Sequence, residues 1–315
     1  METTDNPGSA DNKREHRTAF VFSEKFLRHQ PLASDDVESS SRLKAIIRKI
    51  ESAQFYPPLL SVEPEMHPEI CKYIELVHSR EHIDRVEMQA HSTIICRLAA
   101  SAILSGIDAV MENRVKNAFC AVRPPGHHAF DKGPFGFCYF NNVAIGARYL
   151  QKKWKLKKIL IVDWDFHHGN GTEEAFYDDP SVLYFSTHKL EAFPRTGLRE
   201  RQGIGEGFGF NINIPLPCGT TDREILDAYK EELVPAADNF RPDFILISAG
   251  FDSRKGDLLG DFDVTDAGFS KLTGIVMDIA AKHCSSRIVS VLEGGYNFKG
   301  LASAVEAHLA TLRQP

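Results

Sequence analysis

Several features that would mark particular protein classes are missing from this chain of 315 residues. Its six cysteines are widely spaced without a Cys-x-x-Cys pair, which argues against a disulfide framework and against a thiolate zinc site. The net charge of −6 and the pI of about 6.1 predict no nucleic-acid-binding surface. We find no apolar run of membrane-spanning length and no signal-like N-terminus. These absences predict an intracellular, cytoplasmic protein without membrane contact.

Hydrophobic residues make up 43% of the chain, which is enough for a substantial core. Short β-rich apolar runs alternate with helical patterns. The runs cover 19–22, 118–122, 159–162, 182–186, 210–214, 244–248 and 288–292, and the helical patterns cover 43–50, 92–110, 142–152, 223–237, 267–282 and 301–312. This alternation predicts one α/β domain with a mainly parallel central sheet and helices on both faces. The polar segment 1–17 is expected to be a disordered leader, so that the domain covers 18–315.

Polar side chains are concentrated where four of the apolar runs end. The segments that follow these runs are 123–128 (RPPGHH), 163–168 (DWDFHH), 249–252 (AGFD) and 293–296 (EGGY). Because parallel strands place their carboxyl ends at one edge of a sheet, we expect the four segments to build one site there. If the third strand continued past Val162, its alternation would turn residues 163, 165 and 167 to the same side.

Two carboxylates and an imidazole at such an edge predict a divalent metal, because buried charges need a partner. We assign Asp165, His167 and Asp252 as the ligands. Three protein ligands leave one coordination position open, which is typical of catalytic zinc sites. Asp163 is placed outside the coordination sphere, where it would orient His127.

Three further side chains suit the chemistry of a metal-assisted hydrolysis. His127 and His128 fit a general base and a partner that steadies charge. Tyr296 fits a hydrogen-bond donor to an oxyanion. Taken alone, each of these would more often be an ordinary loop histidine or a packed tyrosine, so the hypothesis depends on the convergence of the strand ends.

From about residue 18 to its end, the chain resembles the zinc-dependent histone deacetylases and their bacterial homologues, the acetylpolyamine amidohydrolases and the acetoin-utilisation proteins. Five motifs in the family's order carry the resemblance: 123–128 (RPPGHH), 136–142 (GFCYFNN), 163–171 (DWDFHHGNG), 249–252 (AGFD) and 293–296 (EGGY). The resemblance implies the arginase-like α/β fold. It also implies metal-dependent hydrolysis of an N-acyl amide, typically acetyl-lysine.

The resemblance implies roles for individual residues of this chain. The metal ligands are again Asp165, His167 and Asp252, which would hold zinc, or ferrous iron in the cell. The remaining catalytic set is the histidine pair His127 and His128, their respective partners Asp163 and Asn170, and the transition-state residue Tyr296. The acyl-lysine channel would be lined by Gly136, Phe137, Phe193 and Leu259. A structural potassium ion would draw on Asp163, Asp165, His167, Ser186 and Thr187.

The choice of substrate follows from a smaller set of residues. Polyamine-selective relatives carry a Glu a few residues beyond the metal-binding Asp, whereas this chain has Leu259. Arg254 and Lys255, if exposed, would repel a polycation. The expected substrate is therefore an acyl-lysine protein or peptide, as in class II lysine deacetylases. A hydrolase of acetylpolyamines or other small amides, and a catalytically silent acyl-lysine-binding module, are the alternatives; a homo-oligomer remains open.

One residue departs from the family pattern. Arg195 stands in the segment 193–197 (FPRTG) where the family usually has Gly. If this position needs a positive φ, we expect the loop to differ from that of the family. The charge of Arg195 would also reshape the mouth of the channel.

Overall fold

A computed structural model describes residues 18–32, 37–55, 58–89 and 92–314, so the predicted leader 1–17 lies outside the described residues. Within these ranges eight strands form one sheet in which every neighbouring pair is parallel. The strands are β1 (Thr18–Val21), β2 (Leu60–Val62), β3 (Asn117–Cys120), β4 (Ile159–Asp163), β5 (Val182–His188), β6 (Asn211–Pro215), β7 (Phe244–Ala249) and β8 (Ile288–Leu292). Their order across the sheet is β2-β1-β3-β8-β7-β4-β5-β6.

The burial of the strands explains which of them the sequence predicts. Strands β4, β7 and β8 in the middle of the sheet are buried at every residue, and such strands form continuous apolar runs. Strand β2 has only three residues, none of them fully buried, at the edge of the sheet. Its segment therefore carries no apolar run, and the sequence analysis missed it.

Ten α-helices flank the sheet in the described residues. They are α1 (Ser40–Ala53), α2 (Ile70–Ile74), α3 (Arg80–Gln89), α4 (Thr93–Met111), α5 (Asn142–Lys153), α6 (Asn170–Ala175), α7 (Asp222–Ala228), α8 (Val234–Phe240), α9 (Asp266–His283) and α10 (Phe298–Leu312). A π-helical turn over Tyr229–Leu233 joins α7 to α8, so the helix predicted over 223–237 is one continuous helical stretch. Helices α2, α3 and α6 were not predicted, because α2 and α6 are short and α3 is mostly polar.

Helix α4 corrects one expectation from the sequence. It has 19 residues and a mean hydropathy of 1.7, so by length and composition it is apolar enough to cross a membrane. In the fold, 67% of this stretch is buried, and the helix packs against β1, β3, β8 and α5. The expectation that no such run exists was wrong, and its apolar surface is that of a helix in the core of the domain.

The order of the strands brings the four polar segments together. Strands β3, β8, β7 and β4 are consecutive neighbours in the sheet, and each of them precedes one of these segments. The last residue of β4, Asp163, lies opposite Ser248 of β7, and Leu292 of β8 lies opposite Ala249. The segments therefore emerge side by side at the carboxyl edge of the sheet, where open α/β sheets bind ligands.

Candidate active site

Three donor groups, two buried carboxylates and one partly buried imidazole, converge at this edge. The ligand atoms of Asp165, His167 and Asp252 all lie within 4.8 Å of one another. The Nδ1 atom of His167 lies 3.2 Å from Asp165 Oδ1 and 2.9 Å from Asp252 Oδ2. Two carboxylates and one imidazole form a donor set that suits Zn²⁺ and leaves a position for water or substrate. The residues present therefore fit a catalytic zinc ion.

The electrostatics of these three groups favour a bound cation. Burial lowers the pKa of His167, but the hydrogen bonds to Asp165 and Asp252 outweigh burial and raise this pKa to about 10. Burial and the negative charge of Asp165 raise the pKa of Asp252. Two carboxylates this close together compete for positive charge, which either a proton or a metal ion can supply.

Backbone amides hold the two carboxylates in place. The N–H of Gly294 donates to Asp165 Oδ2 at 2.8 Å, and the N–H of Phe166 donates to Asp252 Oδ1 at 2.9 Å. The backbone has to approach closely to do this. A Cβ atom at Gly294 would lie 2.2 Å from Asp252 Oδ2, and one at Gly250 would lie 1.9 Å from Asp165 Oδ2. Only glycine fits at these two positions.

The chain beyond β4 does not keep the strand alternation from which residues 163, 165 and 167 were expected to share one side. Strand β4 ends at Asp163, and two side-chain turns follow it. The N–H of Asp165 donates to Asp163 Oδ1 at 3.2 Å, and the N–H of His167 donates to Asp165 Oδ1 at 2.9 Å. These turns, rather than strand alternation, bring the three residues to one side. The Nδ1 atom of His168 lies 2.7 Å from Thr196 Oγ1, away from the donor set.

The histidine pair lies beside the donor set, and each ring has its own partner. The Nδ1 atom of His127 is 3.1 Å from Asp163 Oδ2, and its Nε2 atom is 3.9 Å from Asp165 Oδ1. The Nδ1 atom of His128 is 2.8 Å from Asn170 Oδ1, at the first residue of α6. The two ring centroids are 4.0 Å apart. A partner on Nδ1 fixes the orientation of an imidazole and assigns proton transfer to Nε2.

The surroundings shift the pKa values of His127 and His128 in opposite directions. Burial lowers the pKa of His127, but the charges of Asp165 and Asp163 outweigh burial and raise this pKa to about 10. Burial, together with the neighbouring His127 and His167, lowers the pKa of His128 well below its usual value. The positive charge of a metal ion held by Asp165 would oppose the upward shift of the His127 pKa, so that this ring could accept a proton.

Glu293 is a site residue to which the sequence analysis gave no role. Its side chain is fully buried, and Oε2 accepts the N–H groups of Gly126 at 2.7 Å and His127 at 3.1 Å. The hydroxyl of Ser248 donates to Oε1 at 3.3 Å. Burial raises the pKa of Glu293 to about 7. Glu293 thereby connects the end of β8 to the loop that carries the histidine pair. Its place directly after a buried strand was the available signal.

A second group that the sequence analysis missed contacts Tyr296 and the backbone before it. The guanidinium of Arg42 donates from Nε to Gly295 O at 2.7 Å and also to the carbonyl of Glu293, and it lies 5.0 Å from the centre of the Tyr296 ring. Glu38 accepts from Arg42 at 3.1 Å and from Arg123 at 2.6 Å. These three side chains, which we call the arginine triad (Glu38, Arg42 and Arg123), are completely buried. Nothing local in the sequence connects residue 42 to residues 293–296.

Only 5% of the surface of Tyr296 is exposed, and this residue lines a cavity together with Phe137 and Phe193. Its N–H donates to Asp257 Oδ2 at 2.7 Å, which fixes the backbone at this position. Burial raises the pKa of Tyr296 well above 10, so the hydroxyl keeps its proton and can act as a donor.

A cavity of about 420 Å³ leads from the surface to these groups. Its lining consists of His128, Gly136, Phe137, His167, Ala192, Phe193, Leu259 and Tyr296. The four residues predicted to line a channel are therefore all in its wall. The ring of Phe193 lies 5.1 Å from that of His128, and Phe135, which the sequence analysis missed, lies 4.8 Å from Phe193. An apolar wall with polar groups at the inner end suits a long aliphatic chain that ends in a polar group.

Arg195, next to this cavity, adopts the left-handed backbone conformation itself. Its φ is 65°, and its N–H donates to Ala192 O at 2.7 Å. The position thus does require a positive φ, which the arginine supplies in place of a glycine. The expectation that the loop differs from that of the family stays a prediction.

The two cations that were expected to repel a polycation are both paired. Arg254 contacts Asp266 through two hydrogen bonds, of 2.7 and 3.0 Å, and Lys255 lies 3.5 Å from Asp263. Because each positive charge has a carboxylate beside it, Arg254 and Lys255 do not support an argument from repulsion.

The residues predicted to bind potassium are neighbours in the fold. Ser186 of β5 lies directly opposite Asp163 of β4, and Ser186 and Thr187 are fully buried. Asp163 in turn is linked to Asp165 and His167 by the two side-chain turns. The potassium ion itself stays a prediction.

Together, the parallel sheet and the donor set at its carboxyl edge define the arginase-like class of α/β proteins. Comparison with known proteins narrows this class. A sequence model of the histone deacetylase domain matches residues 36–312. The chain therefore belongs to the histone deacetylase family.

Individual relatives agree with this assignment. "Histone deacetylase 15" of Arabidopsis thaliana is 37% identical over 318 residues, which are 94% of this chain and 56% of that protein. "Probable deacetylase" of Archaeoglobus fulgidus is 34% identical over 321 residues, which are 95% of this chain and 89% of that protein. The solved structure "Crystal Structure of HDA15 HD domain" has a TM-score of 0.86 and 34% identity, and the match covers 93% of this chain and 90% of the other. The chain spans little more than half of the Arabidopsis protein. Membership of this family supports hydrolytic deacetylation.

Proposed function

We propose that this protein is a zinc-dependent lysine deacylase that hydrolyses acetyl-lysine in proteins or peptides. One observation carries the proposal: a three-donor metal site, a histidine pair with separate partners and a tyrosine hydroxyl meet at the inner end of one apolar cavity. Ferrous iron is an alternative metal, because it accepts the same oxygen and nitrogen donors. A structural potassium ion and a cytoplasmic location belong to the same proposal.

Each residue contributes a defined step to the hydrolysis of the amide. Zinc held by Asp165, His167 and Asp252 would supply a Lewis acid that polarises the amide carbonyl and acidifies water. His127, oriented by Asp163, accepts the proton of the attacking water. His128, oriented by Asn170, assists the departure of the lysine amine, which takes up the proton held by His127 as the C–N bond breaks. Tyr296 donates its hydroxyl to the oxyanion of the tetrahedral intermediate.

The lining of the cavity favours acyl-lysine over an acetylpolyamine. A polyamine chain carries further ammonium groups, which need carboxylates as partners. Among the described residues that line the cavity there is no carboxylate, and the position where polyamine-selective relatives carry Glu holds Leu259. The butyl stem of lysine, by contrast, matches a wall made of Phe137, Phe193 and Leu259.

Replacement of Tyr296 by Phe tests the catalytic part of the proposal. The change removes one hydroxyl that donates to the oxyanion, so turnover of an acetyl-lysine peptide should fall by about 10²–10³-fold with little change in KM. Circular dichroism and thermal unfolding should show an intact fold. Turnover close to that of the wild type would contradict the role of Tyr296.

Two substrates and one variant test the choice of substrate. The wild type should hydrolyse an acetyl-lysine peptide faster than acetylspermidine, whereas Leu259→Glu should shift the ratio of the two rates toward acetylspermidine because it adds a carboxylate to the wall. Equal or faster turnover of acetylspermidine by the wild type would contradict the proposal. Binding of acyl-lysine that a chelator does not affect, without turnover, would instead indicate a silent binding module.

A further inference from the structure

A second cavity of about 570 Å³ adjoins the channel and shares His128 with it. Two loops contribute neighbouring residues to the two cavities. Phe135 lines the second cavity and Gly136 the channel, whereas Phe193 lines the channel and Pro194 the second cavity. A residue next to an acyl-lysine in the channel would therefore lie within reach of the second cavity.

The carboxylates of the second cavity already have partners. The guanidinium of Arg201 donates to Glu173 and, at 2.7 Å, to Glu174. Glu173 is buried and also accepts from Asn211 at 2.8 Å. The third carboxylate, Asp131, accepts the N–H of Ser79 at 3.1 Å through Oδ1. Glu173 and Glu174 therefore share one guanidinium, and Asp131 is exposed with a backbone N–H as its partner.

Two cations of the same cavity are not committed in this way. Lys132 and Arg195 line it, both are exposed, and neither has an ion pair in the part of the chain that the structure describes. The three carboxylates and three cations of the lining sum to zero, and the two cations without an ion pair come from the two loops that border the channel.

Arg195 has a backbone conformation that is unusual for an arginine. A φ of 65° is costly for a residue with a Cβ atom, and glycine would adopt it without strain. Lys155 and Arg241 share this conformation outside the site, so the conformation alone assigns no role. The side chain that arginine brings to this position is a guanidinium, which binds carboxylates in a bidentate manner.

We propose that the second cavity is a subsite for an acidic residue adjacent to the acyl-lysine, recognised by Arg195 and Lys132. The inference rests on the proposed function and specifies its substrate class. The ligand group is the carboxylate of an Asp or Glu side chain in the substrate polypeptide. Because the two cations are exposed, the preference should be strongest at low salt.

Matched acetyl-lysine peptides test the subsite. They carry Glu, Gln or Lys at the position before or after the acetyl-lysine and are otherwise identical. The readout is the ratio of kcat/KM for the Glu peptide to that for the Gln peptide, which is insensitive to a general loss of activity in a variant. For an exposed ion pair, we expect a wild-type ratio of about two to five at low salt on at least one side. Added salt should bring this ratio toward one.

Four substitutions separate charge from backbone conformation. Arg195→Gln and Lys132→Gln should each lower the ratio, and Arg195→Gly should lower it as well, although glycine keeps the positive φ. Arg195→Lys should retain most of the preference. Lys152→Gln is the matched control, because it removes an exposed charge near the end of α5, outside the second cavity, and should leave the ratio unchanged.

The possible failures are distinguishable. If the wild type hydrolyses the acetyl-lysine peptides without preference for Glu on either side, the subsite is wrong and the proposed function stands. A preference that survives the double substitution of Arg195 and Lys132 by Gln, or that Lys152→Gln removes equally, also overturns the subsite. Absence of turnover on every peptide contradicts the proposed function and removes the subsite with it.

Discussion

Two groups of buried charges lie side by side at the carboxyl edge of the sheet, and they are balanced in different ways. In the arginine triad, Glu38 accepts from both guanidiniums, and backbone carbonyls accept the remaining donors. In the donor set of Asp165, His167 and Asp252, two carboxylates face one imidazole. The triad keeps a net charge of +1, but its hydrogen-bonding groups find partners within the chain, whereas the two carboxylates of the donor set leave a position that a cation from solution can occupy. An excess of buried carboxylates over cations, rather than the reverse, marks the cation site.

The histidines of the protein show the same contrast. Burial lowers the pKa of His308 to about 3, and the hydrogen-bond partners of its ring nitrogens are two hydroxyls, Thr273 Oγ1 at 2.7 Å and Ser290 Oγ at 3.0 Å. Burial acts on His167 in the same direction, but two carboxylates reverse the shift and raise its pKa to about 10. The difference comes from the neighbours and not from the depth of burial. A buried imidazole beside carboxylates is therefore the better indicator of a metal site.

The largest predicted effect comes from a single methyl group at the donor set. In Gly294→Ala the new Cβ would lie 2.2 Å from Asp252 Oδ2 and 2.6 Å from Asp165 Oδ2, so both carboxylates must move. We expect turnover of an acetyl-lysine peptide to fall to near the background. Gly274→Ala in α9 is the matched control, because, apart from its chain neighbours and the backbone of its own helix, no described atom lies within 4 Å of its new Cβ. The control should keep full activity and should stabilise the helix by about 0.5–1 kcal/mol. Turnover by Gly294→Ala close to that of the wild type would contradict the role of the two carboxylates in the donor set.

The second prediction concerns the arginine triad. Glu38→Gln leaves two buried guanidiniums without a carboxylate, and we expect it to reduce the free energy of unfolding by about 3–5 kcal/mol. The exposed pair of Glu112 and Arg114, 3.0 Å apart, provides the control, and Glu112→Gln should cost less than about 1 kcal/mol. Urea unfolding of chelator-treated protein measures both. Equal losses of unfolding free energy in the two variants would show that the carboxylate of Glu38 does not stabilise the two buried guanidiniums.

The smallest predicted effect is a change in the pH dependence of stability. An unfolded histidine binds a proton near pH 6.5, whereas folded His308 does so only near its pKa of about 3. Between these values the unfolded state binds more protons, so stability falls as the pH falls, by about 1.4 kcal/mol per pH unit for each such residue. His308→Gln should reduce this slope by about that amount between pH 6 and pH 4. Urea unfolding across this range measures the slope, and an unchanged slope would contradict the burial of a neutral imidazole.

The central part of the fold and of the site could be predicted because both depend on local patterns. Strands β4, β7 and β8 are continuous apolar runs, and Asp165, Asp252 and Tyr296 come a few residues after them. The reason given for the proximity of Asp163, Asp165 and His167 was wrong, however. Residues 163, 165 and 167 share one side because of side-chain turns beyond the end of β4, although strand alternation led to the same set.

The remainder depends on contacts between distant parts of the chain, for which a single sequence has no local signal. Arg42 reaches Gly295, which is 253 residues away, and Glu38 reaches Arg123 across 85 residues. Strand β2 is defined by its pairing with β1 rather than by its own three residues. Helix α4 has the composition of a membrane span, and only its packing identifies it as part of the core.

The central claim is that the donor set is completed by a metal ion, and zinc titration of chelator-treated protein tests it most directly. The wild type should bind one zinc ion per chain and should gain about 2.7 kcal/mol of stability at a free zinc concentration of about 100 times Kd. Asp252→Asn removes one of the three ligands, so it should fold without zinc and gain little or nothing from it. A wild type that binds no zinc, or an Asp252→Asn variant that is stabilised to the same extent, would contradict the account.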